Sequence, residues 1–437
     1  MLAPALDLAR ETFRALLDLA LALPRHILAF ALRTRRLGEF NGLSSASARL
    51  AEPGPAPRQP LRRILLSCGD ASGETHALAL VKALRDRNPG MEVAGFGGSR
   101  LRKAGMEVWE PLADLNVMGF ADVASRLPLF LRSVFRFSRE LRAHPPDAVV
   151  LVDYPGLNRH LLRITARTGV PIVDHIAPQL WAWAPWRISD FRRADRLTTI
   201  LPFEQEWFSS RGARTLFVGH PLGDQLAHAA AGESPPPAAL RENRTWVGLL
   251  PGSRRREIRD NLPAMLEAAS LLKKKHPDWG FVLPHLKPEA LAQARGEWLA
   301  DPPDWLVQAP GCWHSVLPSL TAAWVASGTA VLEAAAHGVA PVVVYRIPSR
   351  LGSWLAAHAL AVPHVAALNL MAGQRLVPEH VGRTLNPVAL ASDLEALVSG
   401  PRRVEFDEKM HALLPFFAEP GAAVQAASIV EKAAGAV

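Results

Sequence analysis

Two charged residues stand where predicted strands end and could meet a ligand. Asp153 follows the apolar run 148–152, where a carboxylate can act as a general base or as the cap of the next helix. Arg254 follows the run 245–251 at the predicted start of a helix, where a positive charge opposes the helix dipole. A ligand role for Arg254 is therefore favoured, because a guanidinium beside unpaired N–H groups suits a diphosphate.

Small residues between strands and helices let a ligand approach the backbone at two further places. The loop GDASGE at 69–74 is either an anion-binding turn or a simple helix cap. Ser327, Gly328 and Thr329 form a similar turn, and Glu333 lies on the same helix face as Thr329, where it can accept hydrogen bonds from ribose hydroxyls. There is no Asp-x-Asp, so we predict neither a metal nor a cofactor.

The stretch 126–142 has the composition of a basic amphipathic helix. Arg132, Arg136 and Arg139 follow helical spacing and alternate with aromatic residues such as Phe135. This pattern predicts a membrane-docking helix. A surface helix that packs one apolar face on a sheet has the same pattern, and both readings remain open.

The elements that must position these residues alternate between apolar strands and helical stretches. This alternation predicts an α/β protein with two doubly wound, Rossmann-like domains that face a cleft. We predict an extension of one or two amphipathic helices and a linker at 1–61, domains at 62–222 and 245–400, a linker at 223–244 and a helical tail at 401–437.

Composition narrows the function classes. The chain has 437 residues, of which 49% are hydrophobic and 21% charged, which excludes a disordered chain. Only two cysteines are present, and they form no zinc or disulfide pattern. The net charge is +8, but residues 1–63 contribute ten basic and five acidic residues to it. The excess is thus local, which favours an anionic lipid surface over nucleic acid as partner.

Ten segments together resemble the lipid-A-disaccharide synthases, which are glycosyltransferases of the GT-B type. The resemblance covers roughly residues 62–400. The segments are GDASGE (69–74), LNVMGFADV (115–123), DYPGLN (153–158), IAPQLWAWAPWR (176–187), LPFE (201–204), VGHPL (218–222), LLPGSR with EI (249–258), ASGTAVLEA (326–334), LN (368–369) and VPE (377–379).

The resemblance implies transfer of 2,3-diacylglucosamine from UDP to the 6-hydroxyl of 2,3-diacylglucosamine 1-phosphate (lipid X), with inversion. It implies Asp153 and Arg254 as catalytic residues, and a peripheral position on the cytoplasmic face of the inner membrane; a homo-oligomer is left open. The UDP site it implies is Gly252, Ser253, Arg254, Ser327, Gly328, Thr329 and Glu333. The acceptor site it implies is Asp70, Ser72, Gly73, Glu74, His76, Met118 and Asn158.

Three departures from the family pattern lie on the acceptor side. The two acids of the first loop are exchanged, Gly156 replaces an aspartate, and His175 replaces a tyrosine. Two alternatives therefore remain open: a related enzyme with a different lipid-linked acceptor, and a UDP-sugar 2-epimerase of the same architecture.

Overall fold

A computed structural model describes most of the chain as two units. The described residues are 2–43, 45, 48–55, 59–115, 127–227, 233–285, 289, 302–350, 352–354 and 360–435. Unit 1 comprises Met1–Pro221 and Gly421–Val437, and unit 2 comprises Leu222–Pro420.

Unit 1 begins with three helices: α1 Leu2–Ala20, α2 Ala22–Ala31 and α3 Arg33–Asn41. Its sheet has seven strands in the order β3-β2-β1-β4-β5-β6-β7, all parallel. The strands are β1 Arg63–Ser67, β2 Glu92–Phe96, β3 Glu107–Glu110, β4 Ala148–Val152, β5 Ile172–His175, β6 Arg196–Thr199 and β7 Thr215–Phe217. The helices between them are α4 Ala71–Arg87, α5 Ser99–Lys103, α6 Leu127–Ala143, α7 Pro155–Thr165, α8 Leu180–Trp183, α9 Ile188–Phe191 and α10 Pro202–Ser209.

Unit 2 repeats this design with six parallel strands in the order β10-β9-β8-β11-β12-β13. The strands are β8 Trp246–Leu250, β9 Gly280–His285, β10 Leu306–Pro310, β11 Ala322–Ala326, β12 Ala340–Arg346 and β13 Glu379–Gly382. Its helices are α11 Leu222–Leu226, α12 Arg255–Lys275, α13 Trp313–Val316, α14 Thr329–Ala336, α15 Ala367–Ala372, α16 Pro387–Val398 and α17 Pro401–Phe417; a last helix, α18 Ala422–Ala433, belongs to unit 1.

The central strands explain why the sheets are parallel and covered. β4 reads AVVLV and is buried along its whole length, as is β8. β-Branched and apolar residues at every position suit a strand packed on both faces. The predicted α/β class with two doubly wound sheets is confirmed.

The ends of the chain differ from the expected outline. The N-terminal segment forms three helices rather than one or two. Residues 401–437, expected as one tail, form α17 in unit 2 and α18 in unit 1. The expected linker 223–244 lies within unit 2, where Glu233 accepts hydrogen bonds from the backbone N–H groups of His314 and Ser315.

The lengths and compositions of the helices bear on whether any of them could span a membrane. Within the described ranges, no helix taken alone has the length and apolar character to cross a bilayer. Helices α17 and α18, taken together as a bent pair, have the length and the apolar composition of a membrane span, and only these two properties point to one.

Candidate functional site

In unit 1, the strand order brings two candidate loops to one edge of the sheet. The chain builds outward from β1 in one direction and from β4 in the other, and ligands of such sheets bind at the carboxyl ends beside this reversal. The loop with Asp70 follows β1, and Asp153 follows β4 directly. The topology therefore joins two loops that lie about 80 residues apart in sequence.

The backbone at Asp153 is strained and clamped. Asp153 and Tyr154 have φ angles of +48° and +50°, in the left-handed region that costs non-glycine residues about 1–3 kcal/mol each. The buried amide of Asn158 donates to the carbonyl of Asp153 at 2.6 Å and accepts from the hydroxyl of Ser67 at 2.7 Å. A Cβ on Gly69 would lie 2.2 Å from the ring of Tyr154. The turn is thus held between β1 and β4, and such strain is typical of functional sites.

The carboxyl of Asp153 has the electrostatics of a base poised near neutral pH. Burial, reinforced by the negative charge of Asp70, raises the pKa of Asp153 to about 6. On the neighbouring strand, burial and the charge of Asp153 raise the pKa of Asp174, and neither carboxyl oxygen of Asp174 has a hydrogen-bond partner. An acid with a pKa near the working pH transfers protons efficiently.

Three histidines, the buried His175 and the half-buried His76 and His220, belong to the same environment. Burial lowers the pKa of His76, while the charge of Asp70 opposes this effect. Burial, together with the charge of His76, lowers the pKa values of His175 and His220 to about 3. These two imidazoles are therefore neutral at physiological pH, and they add no positive charge that would lower the pKa of Asp153.

The residues expected to bind the acceptor differ in the contacts that they make within the protein. Asp70 caps α4 by accepting from the N–H of Gly73 at 2.6 Å. Of the two interpretations of the loop 69–74, this contact agrees with the helix cap. Glu74 is buried and accepts from the N–H of Leu101 at 3.0 Å. Ser72 and His76 contact each other at 3.4 Å.

Asn158 and Met118 are the remaining two residues that were expected to bind the acceptor. The amide of Asn158 is used within the protein, which supports a role in positioning the turn rather than in contacting a ligand. Met118 lies outside the described residues.

Unit 2 contains a pocket that gathers the expected UDP residues. It has a volume of about 360 Å³. The turns before α12 and α14 both contribute to its walls, so two helix N-termini end at one cavity. Unpaired N–H groups and the helix dipole make such ends suited to a phosphate. The lining residues are Gly252, Ser253, Arg254, Glu257, His285, Trp313, Ala326, Ser327, Gly328, Thr329, Ala330 and Glu333.

A glycine and a carboxylate hold Arg254 at the mouth of this pocket. Gly252 has a φ of +111°, and a Cβ there would lie 2.5 Å from Glu257. Glu257 accepts from the N–H groups of Ser253 and Arg254, and from the Arg254 guanidinium at 2.9 Å. The Arg254 side chain is 67% exposed, so its remaining donors can reach a ligand.

Glu333 is oriented by two neighbours in the same pocket. The indole N–H of Trp313 donates to its carboxylate at 2.6 Å, and His314 lies 3.6 Å from the same oxygen. Burial lowers the pKa of His314, but hydrogen bonds to Glu333 and Glu233 outweigh this and raise it overall. The carboxylate of Glu333 is thereby fixed in place before a ligand arrives.

The arginines of the expected membrane helix, α6, have partners within unit 1. Arg132 pairs with Glu110 at 2.9 Å, and Arg139 pairs with Glu140 at 2.6 Å. Arg136 lies over the ring of Trp109 and donates to its carbonyl. Phe135 is half-buried. Helix α1 packs against α6, where Asp7 accepts from Ser138 at 2.7 Å.

Sequence reasoning missed several residues of these two sites. Asp174 was not singled out, although an acidic residue inside an apolar strand is a usable signal. Trp313, His314 and Glu233 carry no local signal, because they meet Glu333 from distant parts of the chain. Among the described residues, no group of three or more His, Cys, Asp or Glu could hold a metal ion.

Sequence comparisons identify relatives over most of the chain. A family model described as lipid-A-disaccharide synthetase matches residues 64–430. The lipid-A-disaccharide synthase of Syntrophus aciditrophicus is 35% identical over 374 residues, covering 83% of this chain and 96% of the relative. The lipid-A-disaccharide synthase of Myxococcus xanthus is 34% identical over 382 residues, covering 84% and 96%.

Solved structures support the two-unit fold. The calicheamicin glycosyltransferase CalG4 superposes with a TM-score of 0.56 at 19% identity, covering 86% of this chain and 99% of that one. The S. aureus MnaA–UDP structure superposes with a TM-score of 0.54 at 14% identity, covering 83% and 94%. These similarities concern the fold, whereas the family match concerns the sequence itself. The chain therefore belongs to the lipid-A-disaccharide synthetase family, as a glycosyltransferase built from two parallel-sheet units.

Proposed function

We propose that this glycosyltransferase transfers 2,3-diacylglucosamine from UDP to the 6-hydroxyl of 2,3-diacylglucosamine 1-phosphate, and so forms the lipid A disaccharide. Family membership and the names of the relatives support this reaction. The single observation that carries it is Asp153, a half-buried carboxyl in a strained turn whose pKa is raised to about 6. Purified protein given both acylated sugars is expected to release UDP and the disaccharide phosphate.

The chemical step is a direct displacement with inversion. The acceptor's 6-hydroxyl oxygen attacks the anomeric carbon of the donor, while the carboxylate of Asp153 takes the hydroxyl proton. The bond between the anomeric carbon and the diphosphate breaks, and its electron pair leaves with UDP. A preorganised positive charge at the diphosphate stabilises this developing negative charge, and Arg254 is the residue suited to it.

The unit 2 pocket is the proposed donor site. The diphosphate would take the N–H groups at the start of α14, such as that of Thr329, together with the Arg254 guanidinium. Gly328 has a φ of +147° and open space at the position of a Cβ, so it leaves room beside the phosphates. Glu333, fixed by Trp313, would accept hydrogen bonds from the ribose hydroxyls.

The loops after β1 and β4 are the proposed acceptor site. Ser72 and His76 contact each other at 3.4 Å, and the exposed Ser72 hydroxyl could donate to the acceptor sugar. Asp70, Gly73 and Glu74 would act by shaping the first turn of α4. Both substrates carry acyl chains, so we propose that the enzyme works peripherally at the cytoplasmic face of the inner membrane.

Replacing Arg254 with alanine tests the donor site. We expect UDP to bind about ten- to a hundredfold more weakly, because a charge-assisted hydrogen bond contributes about 1.5–3 kcal/mol. Isothermal titration with UDP measures this. Arg256→Ala is the matched control, since Arg256 is 73% exposed and lies outside the pocket. Equal UDP affinities of the two variants would contradict the role of Arg254.

The pH profile tests the environment of Asp153. A base must be ionised, and its pKa is raised to about 6, so kcat/KM is expected to rise with pH through about 6 and then level. Burial is the larger cause of this raised pKa, and the charge of Asp70 adds to it; Asp70→Asn keeps a helix-capping side chain but removes that charge. The acidic limb should then move to lower pH. Asp86→Asn, an exposed change near the other end of α4, is the control, and an unmoved limb in both variants would refute the coupling.

The alternative of an epimerase is separated from the transferase by its substrate needs. A 2-epimerase would change UDP-N-acetylglucosamine alone, without an acyl chain or an acceptor. We expect no epimer from UDP-N-acetylglucosamine under conditions in which the acylated pair reacts. Replacing lipid X with other lipid-linked sugars in the same assay tests the alternative acceptor.

A further inference from the structure

The N-terminal helices α1–α3 carry most of the exposed apolar surface. Of the twenty large apolar residues that are exposed in the described part of the chain, eleven lie within residues 2–32. Leu23 is 70% exposed, Phe13 67% and Leu16 61%. Apolar residues scattered singly on a surface are normal, but this concentration in one segment marks an interaction site. The family match begins only at residue 64, so this surface lies outside it.

The side of α1 that faces the protein is polar instead. Its buried residues are Pro4, Asp7 and Glu11. Glu11 is fully buried and pairs with Arg163 at 2.8 Å, His160 at 3.1 Å and Arg167 at 3.2 Å. The usual surface helix of a globular protein buries its apolar stripe, so α1 is inverted.

Two more carboxylates hold the extension in this orientation. Asp7 pairs with Arg142 at 2.7 Å and with Arg167 at 2.9 Å. Asp18 pairs with Arg159 at 2.7 Å. Turning α1 over would bury its leucines but leave these arginines without partners, and breaking a buried pair costs about 3–5 kcal/mol. The ion pairs therefore keep the apolar side outward.

The charges on the outward side complement an anionic surface. Residues 2–41 contain six arginines and four acidic residues. Three of these acids are the inward Asp7, Glu11 and Asp18, and the fourth, Glu39, pairs with Arg35 and with Arg211. Arg10 is exposed on α1. Every carboxylate of the segment is thus engaged with arginine, and the outward side combines apolar and basic side chains.

We propose that residues 2–41 are the docking face for an anionic phospholipid bilayer, and that they lie flat in its interfacial layer. Since no described helix is long and apolar enough to span a membrane by itself, α1–α3 would rest on the bilayer with their leucines among the acyl chains. This surface is favoured over α6 as the docking element, because it holds eleven of the twenty exposed large apolar residues of the described part of the chain, whereas α6 contributes only Leu127. The inference rests on the proposed function in one respect: an enzyme whose substrates carry acyl chains must meet the membrane, and the docking face is where it would do so.

Vesicle flotation of the full chain tests this face. Leu23→Glu with Ile27→Glu places two charges on positions of α2 that are 70% and 59% exposed, so folding should be unaffected. We expect partitioning onto phosphatidylcholine vesicles with a quarter phosphatidylglycerol to fall at least about tenfold. Val388→Glu with Val404→Glu, on exposed positions of unit 2, is the matched control and should bind like the wild type. Loss of binding in both pairs, in neither pair, or no binding by the wild type would overturn the proposal.

Two further measurements separate the competing occupants. Sedimentation without lipid should give the same mass for the wild type and the Leu23/Ile27 variant; a wild-type dimer that this variant dissociates would make the face a subunit interface instead. Vesicles of phosphatidylcholine alone should bind the wild type more weakly, and equal binding would overturn the role of the arginines.

Activity in detergent micelles distinguishes this proposal from the proposed function. If the variant loses vesicle binding but transfers sugar normally between micellar substrates, both proposals are supported. If the wild type binds vesicles but makes no disaccharide in micelles, the proposed reaction fails while the docking face stands.

Discussion

Replacing Asp153 with asparagine is expected to lower kcat by about 10²–10⁴-fold, the contribution that general acid–base catalysis typically makes. Asparagine has nearly the same shape and is one of the few residues that tolerate a φ of +48°. The turn and its clamp from Asn158 should therefore persist, and only the proton acceptor is removed. Alanine would also strain the backbone, so its effect would be harder to interpret.

The measurement is a comparison of turnover with UDP binding. Steady-state transfer should collapse in Asp153→Asn, while titration with UDP should give an affinity close to that of the wild type, since Asp153 belongs to unit 1 and the donor pocket to unit 2. Asp147→Asn is the control, since it makes the same substitution at the other end of β4. Asp147 accepts from the backbone N–H groups of Arg62 and Arg63, so its carboxylate has a structural role. A transfer rate in Asp153→Asn close to that of the control would remove Asp153 as the base.

Replacing Glu11 with alanine is expected to release α1 from unit 1. Removing one partner of a buried ion pair costs about 3–5 kcal/mol, because the remaining charges stay buried without compensation. Here Arg163 and His160 would lose their shared carboxylate. Hydrogen exchange of the backbone amides in residues 2–20 should accelerate by about 10²–10³-fold, which corresponds to that change in local opening free energy.

The pH dependence of this anchor follows from the pKa of Glu11. Burial disfavours the charge, but the hydrogen bond from His160 and the charge of Arg163 outweigh it and lower the pKa from 4.5 to about 2. A lowered carboxyl pKa stabilises the folded state above the unfolded value and loses this effect as pH falls. Exchange in α1 of the wild type should therefore accelerate as pH drops from about 4.5 towards 2, relative to the intrinsic rate.

Glu39→Ala provides the contrast for the anchor. Glu39 is 42% exposed and pairs with Arg35 and Arg211 at the surface, where ion pairs contribute only about 0–1 kcal/mol. Exchange in α3 should change by less than about tenfold. If Glu11→Ala alters exchange no more than Glu39→Ala does, the buried ion pairs do not hold the extension.

The strands and their loops could be predicted because their signals are local. A buried parallel strand is a short apolar run, and β4 and β8 read as such runs without knowledge of their neighbours. The shorter or more polar edge strands, such as β3 EVWE and β13 EHVG, lack that signal. Edge strands are covered less, so their sequences need not be apolar.

For the candidate site, too, the local features could be predicted from the sequence and the spatial ones could not. The types and order of Asp153, Arg254 and Glu333 were legible because each directly follows a strand or opens a helix. Their environments were not. The pKa of Asp153 depends on burial and on Asp70, which is brought near by strand order. The orientation of the Glu333 carboxylate depends on the side chains of Trp313 and His314. These are distances in space, and no spacing along the chain encodes them.

The sequence by itself determined the two alternating α/β series, the family resemblance and the amphipathic character of the N-terminus. Only the tertiary structure decided which side of α1 faces the protein. Periodicity shows that a helix has an apolar and a polar side, and the usual expectation is that the apolar side packs inward. Here ion pairs such as Glu11–Arg163, formed between residues 152 positions apart, reverse that orientation. Such pairs form only after the sheet has brought α7 beside α1, because Coulombic attraction acts between neighbours in space.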